Sequence, residues 1–135
     1  MALEIERKFL VQGKQWQASA DGGRRIRQAY LSNNAKISVS IRIIDDTRAK
    51  LTIKSGYRGI TRDEFEYEVP IKDARDLIHL RQSMIIDKVR YKVRFDNIVW
   101  EIDEFFGANA GLVIAEVELT GADQKIRIPT WVGRE

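Results

Sequence analysis

Polar and apolar residues alternate along most of this chain. A period of two recurs over residues 3–11, 36–44, 49–55, 61–69, 86–95, 98–105 and 112–119, with a weaker run over 25–31. Each run predicts a β-strand, because successive side chains of a strand point to opposite faces. About eight such strands suit one small closed barrel. The links carry Ser32-Asn33-Asn34, Asp45-Asp46, Ser55-Gly56 through Gly59, Asp96-Asn97 and Gly107-Ala108-Asn109-Ala110-Gly111. These are short turn sequences that join antiparallel neighbours, and Pro70 and Pro129 sit where strands end. Residues 73–83 change to a helical period, with Asp73 as N-cap and Ala74, Leu77, Ile78 and Leu80 near one face. A shorter turn is expected over 14–20. The predicted class is α+β, mainly antiparallel β: an eight-stranded closed barrel with a few flanking helices.

One face of nearly every strand is charged. The sets are Glu4, Glu6 and Lys8; Ser38, Ser40 and Arg42; Lys50, Thr52 and Lys54; Arg62, Glu64, Glu66 and Glu68; Lys88, Arg90, Lys92 and Arg94; Glu101 and Asp103; Glu116 and Glu118. Opposite them run apolar sets such as Ile37, Val39, Ile41 and Ile43, or Val89, Tyr91, Val93 and Phe95. Solvated sheet faces usually mix signs so that charges pair across strands, whereas here acids and bases are segregated by strand. A barrel closed with its charged face inward gathers these sets around one cavity.

Composition narrows the chemistry. The chain has 135 residues, 44% of them hydrophobic, which suits a single domain over residues 1–135. It has no cysteine, so disulfides, thiolate zinc sites and cysteine nucleophiles are excluded, and a reducing, cytoplasmic location is expected. His79 is the only histidine, which excludes a histidine-rich metal site, and it reads as a surface residue of the helical segment. No apolar run approaches the roughly 18 residues of a membrane-spanning helix, so no membrane partner is expected. Trp16, Trp100 and Trp131 read as packing anchors. Lysine and arginine number 23 against 20 acids, a formal charge of +3. The basic strand 88–94 invites comparison with RNA-binding barrels, but acids on the same inward parity would repel a nucleic-acid backbone. A lumen with bases on one wall and carboxylates on another suits a small polyphosphate and a hard divalent cation, Mg²⁺ or Mn²⁺.

Glu4-Ile5-Glu6-Arg7-Lys8 resembles the ExExK signature of the CYTH family, the triphosphate tunnel metalloenzymes. The similarity continues in order through Arg27 to Leu31, Leu51 to Lys54, Arg62 to Glu66, Asp87 to Tyr91, Trp100 to Phe105 and Glu116 to Glu118. The resemblance implies a tunnel barrel and metal-dependent hydrolysis of a small triphosphate, above all inorganic tripolyphosphate. It further implies metal-facing acids at Glu4, Glu6, Asp103, Glu116 and Glu118, with Glu64 and Glu66 added. Triphosphate-binding bases are implied at Lys8, Arg42, Lys54, Lys88 and Arg90, joined by Arg27 and Arg62. Glu4, Glu6 and Lys88 are the candidate catalytic residues. Thiamine triphosphatase, class IV adenylate cyclase and a non-catalytic polyphosphate-binding module are the alternatives. Two features depart from the family pattern. Ser40 stands where the family has an arginine two residues before Arg42, and relatives continue past the position of Glu135 into a short helix. An apolar outer wall is compatible with a homodimer.

Overall fold

All eight segments are strands in the computed structural model, which describes residues 2–135. They are β1 (Ala2–Leu10), β2 (Arg24–Asn33), β3 (Ile37–Ile44), β4 (Arg48–Ser55), β5 (Thr61–Val69), β6 (Ile86–Phe95), β7 (Ile98–Phe106) and β8 (Val113–Glu118). They close into a barrel in the order β1-β5-β4-β3-β2-β6-β7-β8, every neighbouring pair antiparallel. The expected eight-stranded barrel is therefore the fold. The weak run over 25–31 is a full ten-residue strand. Its pairing with β3 shifts register between Tyr30 and Ser32, so one extra residue breaks the alternation that a sequence reading depends on.

The turns follow their chemistry. Asp96 and Asn97 link β6 to β7 with φ of 52° and 62°, the left-handed pair of a two-residue hairpin that Asn and Asp tolerate. At the start of the β4–β5 link, a Cβ on Gly56 would lie 2.1 Å from the carbonyl oxygen of Ala35, so this position has room only for glycine.

The helix differs from its prediction. Helix α1 runs over Ile71–Leu77 with Pro70 at the N-cap position, and a 3-10 turn follows over Ile78–Leu80. Pro70 ends β5 and has no N–H to lose, so it starts the helix two residues before Asp73. Asp73 instead lies in the first turn, where its charge favours the helix N-terminus. Ala74 and Ile78 are buried as expected, but Leu80 is 67% exposed. The tighter winding after Leu77 turns it away from the face that a 3.6-residue period assigns to it.

The hydrophobic core lies outside the barrel, in two parts. Phe9, Val93, Trp100, Ile102, Ala115 and Val117 on the outer faces of β1, β6, β7 and β8 are covered by Trp16 and by Trp131 and Val132. Trp16 belongs to the 3-10 turn Gln15–Ser19. The C-terminal stretch is held by backbone bonds between Leu10 and Arg134, Gly133 and Leu10, and Gln12 and Trp131. Rings of Phe9 and Trp131 meet Trp100 at 5.7 and 5.8 Å between centroids, tilted or edge-on as aromatic quadrupoles prefer. On the other side α1 and the 3-10 turn after it seat Ala74 and Ile78 against Ala29, Ile41, Ile43 and Ala49 of β2, β3 and β4. Leu3, Phe65 and Tyr67 on β1 and β5 stay exposed on the outer wall. No helix among the described residues is long and apolar enough to cross a membrane.

Candidate active site

With the apolar faces committed outward, alternation turns the opposite faces into the lumen, and the charged sets meet. They line a cavity of about 280 Å³. Glu4, Glu6 and Lys8 enter from β1, Arg62, Glu64 and Glu66 from β5, Lys50 and Lys54 from β4 and Arg42 from β3. Lys88 and Arg90 enter from β6, Glu101 from β7, and Glu116 and Glu118 from β8.

The carboxylates are unequally compensated. Glu4 takes Lys54 Nζ at 3.0 Å and Arg62 Nε at 2.6 Å. Burial acts to raise its pKa, but the Arg62 hydrogen bond and the Lys54 charge prevail and hold it near 2. Glu6 stands directly across from Glu118 in the β1–β8 ladder. Burial, then the charges of Glu116 and Glu4, push it up to about 7, with Lys8 at 3.5 Å only partly offsetting them. Glu118 is also raised, by burial and by the charges of Glu4, Glu101 and Glu66. Glu64 is raised by burial although Lys54 lies 3.1 Å away. Glu66 meets Lys50 at 3.4 Å at a half-exposed position. Glu116 lies 3.9 Å from Lys8 and 3.4 Å from Arg90.

The bases divide similarly. Lys8 has its pKa raised: burial opposes its charge, and Glu116 and Glu6 outweigh that. Lys88 Nζ donates to Asp103 at 2.8 Å, and Arg90 donates to the same carboxylate through Nε at 2.7 Å and Nη2 at 2.8 Å. Arg42 Nε is buried and has no hydrogen-bond partner among the described residues. Tyr57 of the β4–β5 link lies over Arg62, 4.2 Å from guanidinium carbon to ring centroid.

Two of the expected site residues are placed elsewhere. Arg27 is outside the barrel, where its Nη2 donates to Asp46 at 2.6 Å. The outer parity of β2 is set by Ala29, fully buried with Ala74 of α1, so Arg25 and Arg27 share that outer side. Arg25 pairs there with Asp87. Asp103 is 1% exposed and lies behind Lys88 and Arg90 instead of on the cavity wall. Two lining residues escaped the sequence reading, Gln28 and Tyr30. The signal for them was Ala29, a small residue between two larger ones, suited to close helix contact. Gln28 Nε2 donates to Ser40 Oγ at 3.1 Å, with Thr52 opposite Ser40 on β4. The position of the family's absent arginine is thus filled by a buried neutral hydrogen-bonded set. Arg42→Ala should raise the KM for a triphosphate about 10-fold or more, the loss of one charge-assisted bond. Arg27→Ala should leave it within about twofold, since it removes an ion pair on the outer wall, away from the cavity lining. Steady-state kinetics on the two variants checks both values.

The donor set fits a hard divalent cation. Among the described residues no three acidic or histidine side chains already converge at ligating distance, and the carboxylates of Glu4, Glu64, Glu66 and Glu116 lean on bases. Glu6 and Glu118 face each other on adjacent strands with raised pKa values, and for Glu6 the bases Lys8 at 3.5 Å and Arg62 at 4.0 Å do not offset its burial and acidic neighbours, a deficit that an oxygen-ligated cation would neutralise.

Comparison with known proteins agrees with this architecture. The chain is 41% identical over 136 residues to an inorganic triphosphatase of Acetivibrio thermocellus, covering 100% of this chain and 86% of the relative. The solved structure of the inorganic triphosphatase NE1496 superposes with a TM-score of 0.65 at 28% identity, covering 99% of this chain and 86% of that one. The PH1012 protein from Pyrococcus horikoshii shares the fold at 20% identity, with a TM-score of 0.69 over 89% of this chain and 81% of its own. The model of the CYTH domain matches residues 2–135, and with the barrel, its charged lumen and these relatives it establishes that the chain belongs to the CYTH family.

Proposed function

We propose that this chain is a divalent-metal-dependent triphosphatase that cleaves the terminal phosphoanhydride of inorganic tripolyphosphate, with Mg²⁺ or Mn²⁺ as the metal. Family membership implies the dependence on a divalent ion. The observation that carries the substrate is the cavity wall. It is built from charged side chains, with Gln28 and Tyr30 the only uncharged residues lining it among the described residues. Thiamine or a nucleoside needs an apolar or aromatic platform, and this wall offers only one phenol ring. A bare polyphosphate needs none.

Lys8, Arg42, Lys54, Arg62, Lys88 and Arg90 are the groups that would bind and orient the phosphates. Arg42 has a buried donor that an oxyanion would satisfy. Glu4, Glu6, Glu116 and Glu118 would hold the metal, with Glu64 and Glu66, also on the cavity wall, as further carboxylates. When bound, the ion supplies neutralisation of phosphate charge and a water of lowered pKa. Lys88 and Arg90, fixed in a dry part of the barrel, place positive charge where the phosphates gain negative charge in the transition state. Glu6 holds its proton up to about pH 7 and must release it to ligate a cation. Metal affinity is therefore expected to fall about tenfold per pH unit below that value, one proton being displaced. Titration of the protein with Mn²⁺ alone across this range measures the slope.

The test of function is phosphate release from tripolyphosphate, thiamine triphosphate and ATP with each metal, cyclic AMP being followed in parallel. Release should be fastest from tripolyphosphate and should vanish in EDTA. Cyclic AMP formation, or binding of every substrate without turnover, would refute the proposal.

A further inference from the structure

We propose that Asp103 is a positioning residue for the two deep phosphate bases and not a ligand of the metal, an inference that rests on the triphosphatase reading above. Its carboxylate is already saturated. Oδ1 accepts from Arg90 Nε at 2.7 Å, and Oδ2 accepts from Arg90 Nη2 and Lys88 Nζ, each at 2.8 Å. The Arg90 pair is the parallel fork that matches guanidinium to carboxylate in one plane. The ladder enforces it, because Arg90 and Asp103 are directly opposed in the β6–β7 pairing.

Depth supports the same assignment. Asp103 is 1% exposed and off the cavity wall, while Lys88 and Arg90 line it. A cation in the cavity would meet those two bases before it met the carboxylate. Ligation by Asp103 would strip two buried cations of their counter-charge, an arrangement far worse than leaving the pairs intact. Glu6 and Glu118 differ from it: both are on the cavity wall, they face each other across the β1–β8 ladder, and the bases nearest Glu6, Lys8 and Arg62, stand off at 3.5 and 4.0 Å.

What Asp103 contributes is order and charge. The fork fixes the Arg90 plane so that Nη1 and Nη2 reach toward Glu101 at 3.5 Å and Glu116 at 3.4 Å, the lumen side. Lys88 Nζ is held between Asp103 and the ring of Phe105, 5.5 Å from its centroid. Burial is the strongest influence on Lys88 and lowers its pKa, and the charge and hydrogen bond of Asp103 oppose that loss in part. The pair is thus a preorganised anion site with its counter-ion behind it.

The test separates phosphate binding from metal binding in the intact 135-residue chain. Asp103→Asn should weaken tripolyphosphate binding measured in EDTA about tenfold or more, with a matching rise in KM. Its affinity for Mn²⁺ alone, read by calorimetry or by the spin resonance of the ion, should stay within about twofold of wild type, as expected for a group outside the ligand set. Glu6→Gln serves as the control that loses Mn²⁺. Arg90→Lys keeps the charge but removes the fork, and it should show the same split even if the Asp103 variant does not fold. A tenfold loss of Mn²⁺ affinity in Asp103→Asn or Arg90→Lys, unchanged tripolyphosphate binding, or a lower kcat at unchanged KM would each overturn the assignment. Failure of the wild-type protein to bind and hydrolyse tripolyphosphate would instead refute the functional reading.

Discussion

Glu6→Gln is expected to reduce metal-dependent phosphate release by about 100-fold or more while raising the melting temperature of the metal-free protein. The two effects share one cause. Glu6 is buried against Glu116 and Glu4, and its pKa stands near 7 instead of 4.5. The folded protein therefore binds an extra proton between those values, and stability contributed by the protonated group is lost as pH rises from 4.5 through 7. Above that range the ionised carboxylate costs the metal-free barrel on the order of 1 to 3 kcal/mol, which a neutral amide of the same shape removes. A gain of several degrees in melting temperature at pH 8 is expected, shrinking as the pH approaches 5. Glu4 behaves with the opposite sign: held near 2 by Arg62 and Lys54, it contributes stability above pH 4.5 that is lost as the pH falls toward 2. Scanning calorimetry in EDTA at several pH values, beside phosphate-release assays, checks the pair. Equal melting temperatures at pH 8 would refute the claim that Glu6 is strained in the absence of metal.

Trp100→Ala is expected to cost about 3 to 5 kcal/mol and to lower the melting temperature by roughly 10 to 20 °C. Trp100 is fully buried at the centre of the larger outer cluster, between Phe9 and Trp131. Its removal leaves a cavity that the flanking strands β6 and β8 cannot close, because their other faces carry Lys92 and Glu116 and are held in register by the ladder. A domain of this kind has roughly 5 to 15 kcal/mol in total, so the loss is a large fraction. Trp100→Phe should cost less: an aromatic ring still fills much of the site, and the indole N–H, which has no partner among the described residues, is removed. Turnover per folded molecule should stay near wild type at low temperature, since the cluster lies on the far side of the wall from the cavity. Denaturant unfolding together with kinetics measured well below the melting point tests both parts.

The strands and the inward direction of most charges were legible because alternation is a local property, readable two residues at a time. Glu4, Glu6 and Lys8 announce their common face within five residues, and Lys88 and Arg90 do the same on β6. Legibility failed where something non-local intervened. The bulge after Tyr30 broke the phase of β2, and the contact of Ala29 with α1 chose its outer side, so Arg27 was assigned inward while Gln28 and Tyr30 were overlooked. Pro70 moved the helix start, and the 3-10 turn moved Leu80 into solvent. Alternation gave Glu101 and Asp103 the same face but had no means of ranking their depth. Glu101 lines the cavity and Asp103 does not.

By itself the sequence determined that this chain forms antiparallel strands, that one face of them is charged, and that the chemistry belongs to carboxylates and bases without cysteine or histidine. These follow from side-chain periodicity and composition, which need no partner to be read. Only the tertiary structure decided which charges neutralise one another. That depends on strand register: pairing Arg90 with Asp103 neutralises one acid, and pairing Glu6 with Glu118 leaves two carboxylates directly opposed on adjacent strands. The electrostatic inequality among similar acids, from a pKa near 2 at Glu4 to about 7 at Glu6, arises from distances across strands far apart in sequence. It is set by closure of the barrel, because only closure brings β1 beside both β5 and β8 and excludes the water that would otherwise screen them.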